Sequence, residues 1–237
     1  MEPAAALRIE VANGSAVSAL LRLPPESRAL YVLAHGAGAG MTHPFMGAVA
    51  DGLAVRGIAT LRYQFPFMEQ GSRRPDPPRV AHAAVRAAVA AARRMVDLPL
   101  FIGGKSFGGR MSSQAQAEAR LDGVAGLVFF GFPLHPPKQP ASERADHLAQ
   151  VACPMLFLQG TRDELAELAL VTAVVGRLGA RAALVTIDDA DHAFHVRAKS
   201  GRRDPEVLAG MLDASARWMT EIAAGPRSGV AGVDGSR

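Results

Sequence analysis

Short apolar runs alternate with longer segments of helical periodicity along most of the chain. The apolar runs predict buried strands at "ALYVLAH" (29–35), "IATLRY" (58–63), "LPLFIGG" (98–104), "VAGLVFFGF" (124–132), "MLFLQG" (155–160) and "RAALVTI" (181–187). The periodic segments predict helices near 44–56, 77–96, 107–119, 164–178 and 204–223. Because parallel strands need a crossover helix that covers the sheet, this order predicts an α/β fold with a mostly parallel sheet between two helical layers. Functional residues are then expected at the carboxyl ends of the strands.

The first residues of the chain have a different pattern. "LRIEV" and "AVSALLRL" flank Asn13-Gly14, a dipeptide suited to the positive φ angles of a tight turn, so an N-terminal antiparallel hairpin is predicted. We expect one domain over residues 1–222, a size ordinary for a single α/β domain. The segment 223–237 is rich in Gly, Ser and Ala, has little to bury, and is predicted to be disordered.

The composition is typical of a globular protein and not of a membrane-spanning one. Apolar residues make up 49% of the chain and charged residues 20%, which indicates a packed globule, and no apolar run is long enough to span a bilayer. The start "MEPAAALRIE" lacks the features of a signal peptide, and the lone Cys153 suits a reducing compartment, so a cytoplasmic location is expected. Nothing in the sequence indicates the oligomeric state.

The charge of the chain is basic but scattered. The net charge is +4, and the arginine pairs at 73–74, 93–94 and 202–203 have no aromatic residues between them. Such pairs are typical of a solvated surface, so neither a nucleic-acid nor a membrane partner is expected.

The segment "PLFIGGKSFGGRM" (99–111) holds the first chemical motif. Its Gly-Lys-Ser resembles the end of a phosphate-binding loop, but Pro99 stands where that motif requires glycine. The pattern G-x-S-x-G fits from Gly104 to Gly108, directly after a predicted strand and before a predicted helix, and makes Ser106 a candidate nucleophile on a sharp turn. Gly109 adds a further small neighbour. The structural alternative is a glycine-rich helix start with Ser106 as its N-cap.

Two backbone N–H groups are candidates for stabilising an oxyanion. Phe107 follows the nucleophile and supplies one of them. Ala37, in the loop "HGAGAG" (35–40) after an early strand, is our choice for the other, because glycines let a ligand approach the backbone. The alternative is a dinucleotide-binding loop, but Met41 replaces its last glycine and the next strand ends in Arg62 instead of an acid.

An acid and a base follow in the order that a Ser-Asp-His arrangement requires. "QGTRDE" and "DDADHAFH" come after two late strands and supply Asp163 and His192. Asp163 is also interpreted as the N-cap of the helix that follows. His192 is preferred to His195 because it lies nearer the strand end. A metal site stays an open alternative. It would be formed by the two histidines together with the acidic residues beside them, Asp188, Asp189 and Asp191.

The motifs "LAHGAGAGMTHPFM", "GGKSFGGRM" and "FFGFPLHPP" resemble the α/β-hydrolase superfamily, in its dienelactone-hydrolase-like region, over residues 7–222. More narrowly they are similar to a branch of small predicted hydrolases, which is related in eukaryotes to a subunit of a chromatin acetyltransferase complex. The resemblance implies Ser106 as nucleophile, Asp163 as acid, His192 as base and main-chain donors near Ala37 and Phe107. Dienelactone hydrolases use cysteine at the nucleophile position, so the resemblance does not carry their substrate to this chain.

The sequence therefore predicts a serine hydrolase that acts on a small-molecule ester or thioester through an acyl-enzyme, without cofactor or metal. The rival hypotheses are a catalytically silent scaffold with the same fold and, more weakly, a nucleotide-binding protein. The segment 131–150 has room only for a Pro-rich loop and a short helix, so an open site without a sizeable cap is expected. The loop 64–78 could border that site, and Lys105 is expected to pack its stem and extend its amine to solvent.

Overall fold

The computed structural model describes residues 3–11 and 14–225. Its strands are β1 (Ala5–Val11), β2 (Ser15–Arg22), β3 (Ala29–Ala34), β4 (Ile58–Tyr63), β5 (Leu100–Lys105), β6 (Val124–Phe130), β7 (Met155–Gly160) and β8 (Ala182–Ile187). Its α-helices are α1 (Pro44–Ala54), α2 (Pro66–Glu69), α3 (Pro78–Met95), α4 (Phe107–Glu118), α5 (Leu168–Leu178) and α6 (Asp204–Ala223).

All of these strands join one eight-stranded sheet in the order β1-β2-β4-β3-β5-β6-β7-β8. β1 and β2 form an antiparallel hairpin, and β2 runs antiparallel to β4. From β4 to β8 every pair is parallel, so the carboxyl ends of these strands lie at one edge of the sheet. This arrangement confirms the predicted α/β fold.

Helices cover both faces of the sheet. One hydrophobic cluster joins the sheet to α3, α4 and α5, and the other joins it to α1 and α6. The central strands β3, β4 and β7 are buried along their whole length, as expected for parallel strands covered on both sides. This burial explains why their sequences are mostly apolar, which is the pattern that predicted them as strands.

Most predicted elements are found within a few residues of their expected bounds, but α5 begins later than predicted. The expected helix started near 164, whereas α5 starts at Leu168. The carbonyl of Leu165 instead accepts hydrogen bonds from the N–H groups of Leu134 and His135, at 2.8 and 3.1 Å. Leu165 thus binds the loop after β6, a tertiary contact that local periodicity does not reveal.

The predicted hairpin turn and the predicted C-terminal tail lie only partly within the described residues. Gly14 has φ +74° at the hairpin, as a tight turn requires, while Asn13 lies outside the described residues. The predicted tail overlaps the end of α6 at Ala223, and residues 226–237 also lie outside the described part of the chain. The single domain over 1–222 stays a prediction.

The segment that follows β6 is short and carries no sizeable cap. Its regular structure is a 3₁₀ helix, Glu143–Gln150, packed beside α4. The expectation of a Pro-rich loop and one short helix is confirmed. Within residues 3–11 and 14–225, none of the helices combines the length and the apolar character that a membrane span requires.

Candidate active site

Ser106 sits on a tight turn between β5 and α4. Its φ is +50°, a strained conformation for a residue with a side chain, and its N–H donates to the carbonyl of Phe130 at 3.1 Å. The turn passes so close to β3 that a Cβ on Gly104 would lie 2.0 Å from the carbonyl oxygen of Ala34. Only glycine fits there, so the motif glycines hold Ser106 at the end of the sheet.

The side chains of Ser106, His192 and Asp163 form one hydrogen-bonded chain. His192 Nε2 lies 2.9 Å from Ser106 Oγ, and His192 Nδ1 lies 2.6 Å from Asp163 Oδ2. The carboxylate orders the imidazole with its proton on Nδ1, which leaves Nε2 to accept from the serine hydroxyl. Ser106 occupies the N-cap position of α4 but its side chain makes no capping bond, which argues against the N-cap alternative.

Asp163 follows β7, and its side chain is fully buried. Its oxygens accept hydrogen bonds from the Gln159 amide at 2.5 Å and from the N–H of Leu165 at 2.8 Å, besides the bond to His192. The interpretation of Asp163 as the N-cap of α5 is wrong, because Glu167 holds that position. The carboxylate is therefore held by its own turn and directed at the imidazole.

His192 lies in a compact loop after β8. An antiparallel bridge between Ala190 and Val196 closes the loop, and the Asp191 carboxylate accepts the N–H groups of Ala193 and His195. These contacts fix the backbone on both sides of His192.

His195 does not join this chain of side chains. It is exposed and pairs with Asp204 at 2.8 Å, which raises the pKa of His195. Across the described ranges, no group of three or more His, Cys, Asp and Glu side chains is arranged to hold a metal ion. The preference for His192 over His195 thus matches their positions relative to Ser106.

The loop that contains Ala37 passes beside the serine. A Cβ on Gly36 would lie 4.0 Å from Ser106 Cβ, and Ala37 and Ser106 line the same cavity. Phe107 is the first residue of α4, so its N–H belongs to the helical turn that lacks intrahelical acceptors. Both candidate donors therefore belong to segments that adjoin the serine.

A buried histidine supports this loop, and sequence reasoning missed it. His35 Nδ1 lies 2.7 Å from the carbonyl oxygen of Gly36, and His35 Nε2 accepts the N–H of Phe65 at 2.9 Å. Burial lowers the pKa of His35 to about 4, so the imidazole is neutral near neutral pH. The signal available in the sequence was a histidine directly before "GAGAG", at a strand end.

A cavity of about 300 Å³ opens beside the serine. Its lining is mostly apolar and consists of Gly36, Ala37, Gly38, Ala39, His43, Phe45, Met46, Lys105, Ser106, Leu165, His192 and Ala193. The loop 64–78 contributes no lining residue to it. Phe65 and Phe67 of that loop are buried against Phe107 and support the turn from below.

The expectation for Lys105 is wrong. Its amine does not extend to solvent but donates a hydrogen bond to the carbonyl of His192, and Lys105 is only partly exposed. Burial lowers the pKa of Lys105 to about 8, although the nearby carboxylates of Asp163 and Asp191 act in the opposite direction. The position before the nucleophile gave no signal of this long-range contact.

Comparison with known proteins gives one family and many similar folds. A family model described as an alpha/beta hydrolase domain matches residues 27–220. A lidless α/β serine hydrolase from Xanthomonas campestris is 21% identical with a TM-score of 0.72, covering 92% of this chain and 96% of its own. A dienelactone hydrolase from Anabaena variabilis is 22% identical with a TM-score of 0.75, covering 93% and 99%. An esterase domain from Rhodothermus marinus is 16% identical with a TM-score of 0.72, covering 93% and 99%.

Proposed function

The chain belongs to the α/β-hydrolase family, and on that premise we propose that it is a serine hydrolase that cleaves a small carboxylic ester or thioester through an acyl-enzyme. The observation that carries the proposal is the continuous hydrogen-bonded chain from Ser106 through His192 to the buried Asp163, at the mouth of a cavity. A serine hydroxyl is a poor nucleophile by itself, and a base within hydrogen-bond reach is what activates it.

In the proposed reaction, Ser106 Oγ attacks the carbonyl carbon of the substrate while His192 Nε2 takes the hydroxyl proton. The tetrahedral intermediate collapses when the bond to the leaving group breaks and His192 returns that proton to the leaving alcohol or thiol. Water then repeats the sequence on the acyl-enzyme and releases the acid. No step requires a cofactor.

Asp163 and the two backbone donors are proposed to stabilise the charges that form on the imidazole and on the substrate oxygen during the reaction. The carboxylate of Asp163 holds the imidazole in the tautomer that can accept from serine, and it stabilises the imidazolium of the intermediate. The N–H groups of Ala37 and Phe107 are proposed to donate to the oxyanion, where the N-terminal end of α4 adds a favourable partial charge.

The cavity supports a small acyl group. Its volume of about 300 Å³ is at the lower end of the roughly 300–1,000 Å³ of small-molecule sites. Phe45, Met46 and Leu165 give it an apolar wall, and none of its lining residues is acidic. The partner is therefore proposed to be a small-molecule substrate and not nucleic acid. Action in the cytoplasm also stays a proposal.

Labelling with a fluorophosphonate probe tests the proposal, because that reaction needs the activated serine and the oxyanion donors but no knowledge of the substrate. We expect stoichiometric modification of Ser106, found by peptide mass mapping, and hydrolysis of p-nitrophenyl esters. Ser106→Ala is the matched control for both measurements. Folded wild-type protein that takes up no probe over hours, while a control serine hydrolase labels in minutes, would support the scaffold hypothesis instead.

A further inference from the structure

Lys105 joins the turn that carries Ser106 to the loop that carries His192. It is the last residue of β5, directly before Ser106, and its Nζ donates to the backbone carbonyl of His192. One side chain therefore links the segment of the proposed nucleophile to the segment of the proposed base. This link is independent of the Ser106–His192 hydrogen bond, because it uses the backbone of His192 and not its ring.

Two aromatic rings surround the ammonium group. Lys105 Nζ lies 4.8 Å from the centroid of the Phe194 ring and 6.0 Å from that of Phe45. The two rings stack on each other, with centroids 6.1 Å apart and planes inclined by 13°. Ring faces attract a cation at such distances. The charge is therefore held by Phe194, from the same loop whose carbonyl it binds, and by Phe45 from α1.

On one side, the backbone at Gly131 packs closely against the ammonium. Gly131, after β6, has φ +70°, and a Cβ there would lie 2.9 Å from Lys105 Nζ and 3.4 Å from His192 Nδ1. The missing side chain of Gly131 thus makes room for the ammonium and the imidazole together. The charged groups that face Lys105 are the carboxylates of Asp163, after β7, and Asp191, in the loop of His192.

We propose that Lys105 is a positioning residue that fixes the His192 loop against the nucleophile turn through its ammonium group. The proposal rests on the proposed function only for the consequence in catalysis. Without the ammonium, the carbonyl of His192 loses its donor and the Phe45–Phe194 stack loses its cation. The imidazole then samples positions away from Ser106, and small displacements of a catalytic group are costly in rate.

Lys105→Met removes the charge and the donor while it keeps the length and apolar stem of the side chain. We expect kcat on a p-nitrophenyl ester to fall about 10- to 100-fold, with KM changed by less than about threefold because the cavity wall is retained. Lys199→Met is the matched control, since Lys199 is an exposed lysine further along the chain after His192, and it should leave both constants unchanged.

A spectroscopic measurement tests the link without turnover. The short bond between His192 Nδ1 and Asp163 is expected to give a far-downfield proton resonance in the wild type and in Lys199→Met. In Lys105→Met this resonance should broaden or disappear, while the melting temperature stays within a few degrees. An unchanged resonance in a folded Lys105→Met protein would overturn the proposal. If the wild type takes up no fluorophosphonate, the proposed function fails, but the resonance still decides the role of Lys105.

Chemical rescue separates the charge from the packing. Lys105→Cys alkylated with 2-bromoethylamine regains an ammonium at nearly the original reach, whereas 1-iodopropane gives an uncharged side chain of the same size. Wild type treated alike controls for Cys153, whose pKa is raised by burial. We expect the aminoethyl product to regain the resonance and most of kcat, and the propyl product to regain neither. Equal behaviour of the two products would show that only packing matters.

Discussion

The carbonyl oxygen of His35 occupies the place that any side chain at position 108 would need. A Cβ built on Gly108 would lie 2.5 Å from that oxygen and 2.6 Å from the carbonyl carbon of Ala34. The first turn of α4 therefore packs directly on the backbone at the end of β3, where the loop containing Ala37 begins. This contact sets the distance between the nucleophile turn and the proposed oxyanion donor.

Gly108→Ala should therefore damage both stability and activity. Backbone atoms must move to admit the methyl group, at a cost of about 1–3 kcal/mol, and the two loops must separate. We expect the unfolding free energy in urea to fall by that amount and kcat/KM to fall about 100-fold. Gly176→Ala is the matched control, because nothing lies within 4 Å of that position in α5 and the change should stabilise the protein by about 0.5–1 kcal/mol.

The two neighbouring histidines should differ sharply in their effect. His192→Ala removes the group that bonds Ser106, so kcat/KM should fall roughly 10³-fold or more, and Asp163→Asn should fall strongly because the imidazole loses its orienting anion. His195→Ala should keep most of the activity, since its ring is exposed and pairs with Asp204. The measurement is ester hydrolysis with probe labelling. A larger loss in His195→Ala would mean that the wrong histidine was chosen.

The sequence was sufficient for the sheet and for the order of the proposed catalytic residues. Buried parallel strands are largely apolar runs. Ser106 directly follows one of them, and Asp163 and His192 lie in the loops after two others, so the topology alone brings the three residues to the same edge. The glycines around Ser106 were recognisable for the same reason, because a turn so close to β3 excludes side chains.

The contacts between loops could not be read in advance. Lys105 donates a hydrogen bond to the carbonyl of His192. The Leu165 carbonyl accepts hydrogen bonds from the loop after β6, and α5 therefore starts later in the chain than predicted. Both contacts join residues distant in sequence through backbone atoms, which leave no pattern of side-chain types. The packing of the loop 64–78, which was expected to border the site, could not be read either. Its Phe65 and Phe67 are buried against the ring of Phe107, and the loop contributes no residue to the cavity lining.

The length of the acyl chain should limit catalysis, because the cavity is small. We expect kcat/KM on a series of p-nitrophenyl esters from acetate to laurate to peak at a short chain and then stop rising, since each further CH₂ gains less than the roughly 0.8 kcal/mol of full burial. Leu165→Ala should shift the peak to a longer chain, because Leu165 lines the cavity. A steep rise up to laurate in the wild type would contradict this view of the site.

Activity should decline in alkaline solution as Lys105 loses its proton. Burial lowers the pKa of Lys105 to about 8, so above that pH the amine is neutral, donates a weaker hydrogen bond and loses its attraction to the rings of Phe45 and Phe194. The wild-type profile of kcat/KM should therefore fall through this range. Lys105→Met, which has no ammonium to lose, should show no such alkaline decline. The same decline in both proteins would assign it to another group.

The stability of the fold should decrease in acid because of His35. Its side chain is fully buried, and burial lowers its pKa from 6.5 to about 4. Between those values the unfolded chain binds the proton and the folded protein does not, so the unfolding free energy falls as the pH falls. The decrease ends near the folded pKa and amounts to about 3 kcal/mol for this group.

The contribution of His35 to the acid-dependent loss of unfolding free energy can be separated from that of other titrating groups with His35→Gln. The amide oxygen of this variant can still accept the N–H of Phe65. Urea unfolding should be followed for both proteins from about pH 7 down to about pH 4.5. The variant starts from a lower stability at neutral pH because it loses the contact with Gly36, but its decrease in acid should be smaller than that of the wild type. Carboxylates and His147, whose pKa burial also lowers to about 4, contribute equally to both curves. Parallel acid curves would show that the protonation of His35 is not linked to unfolding.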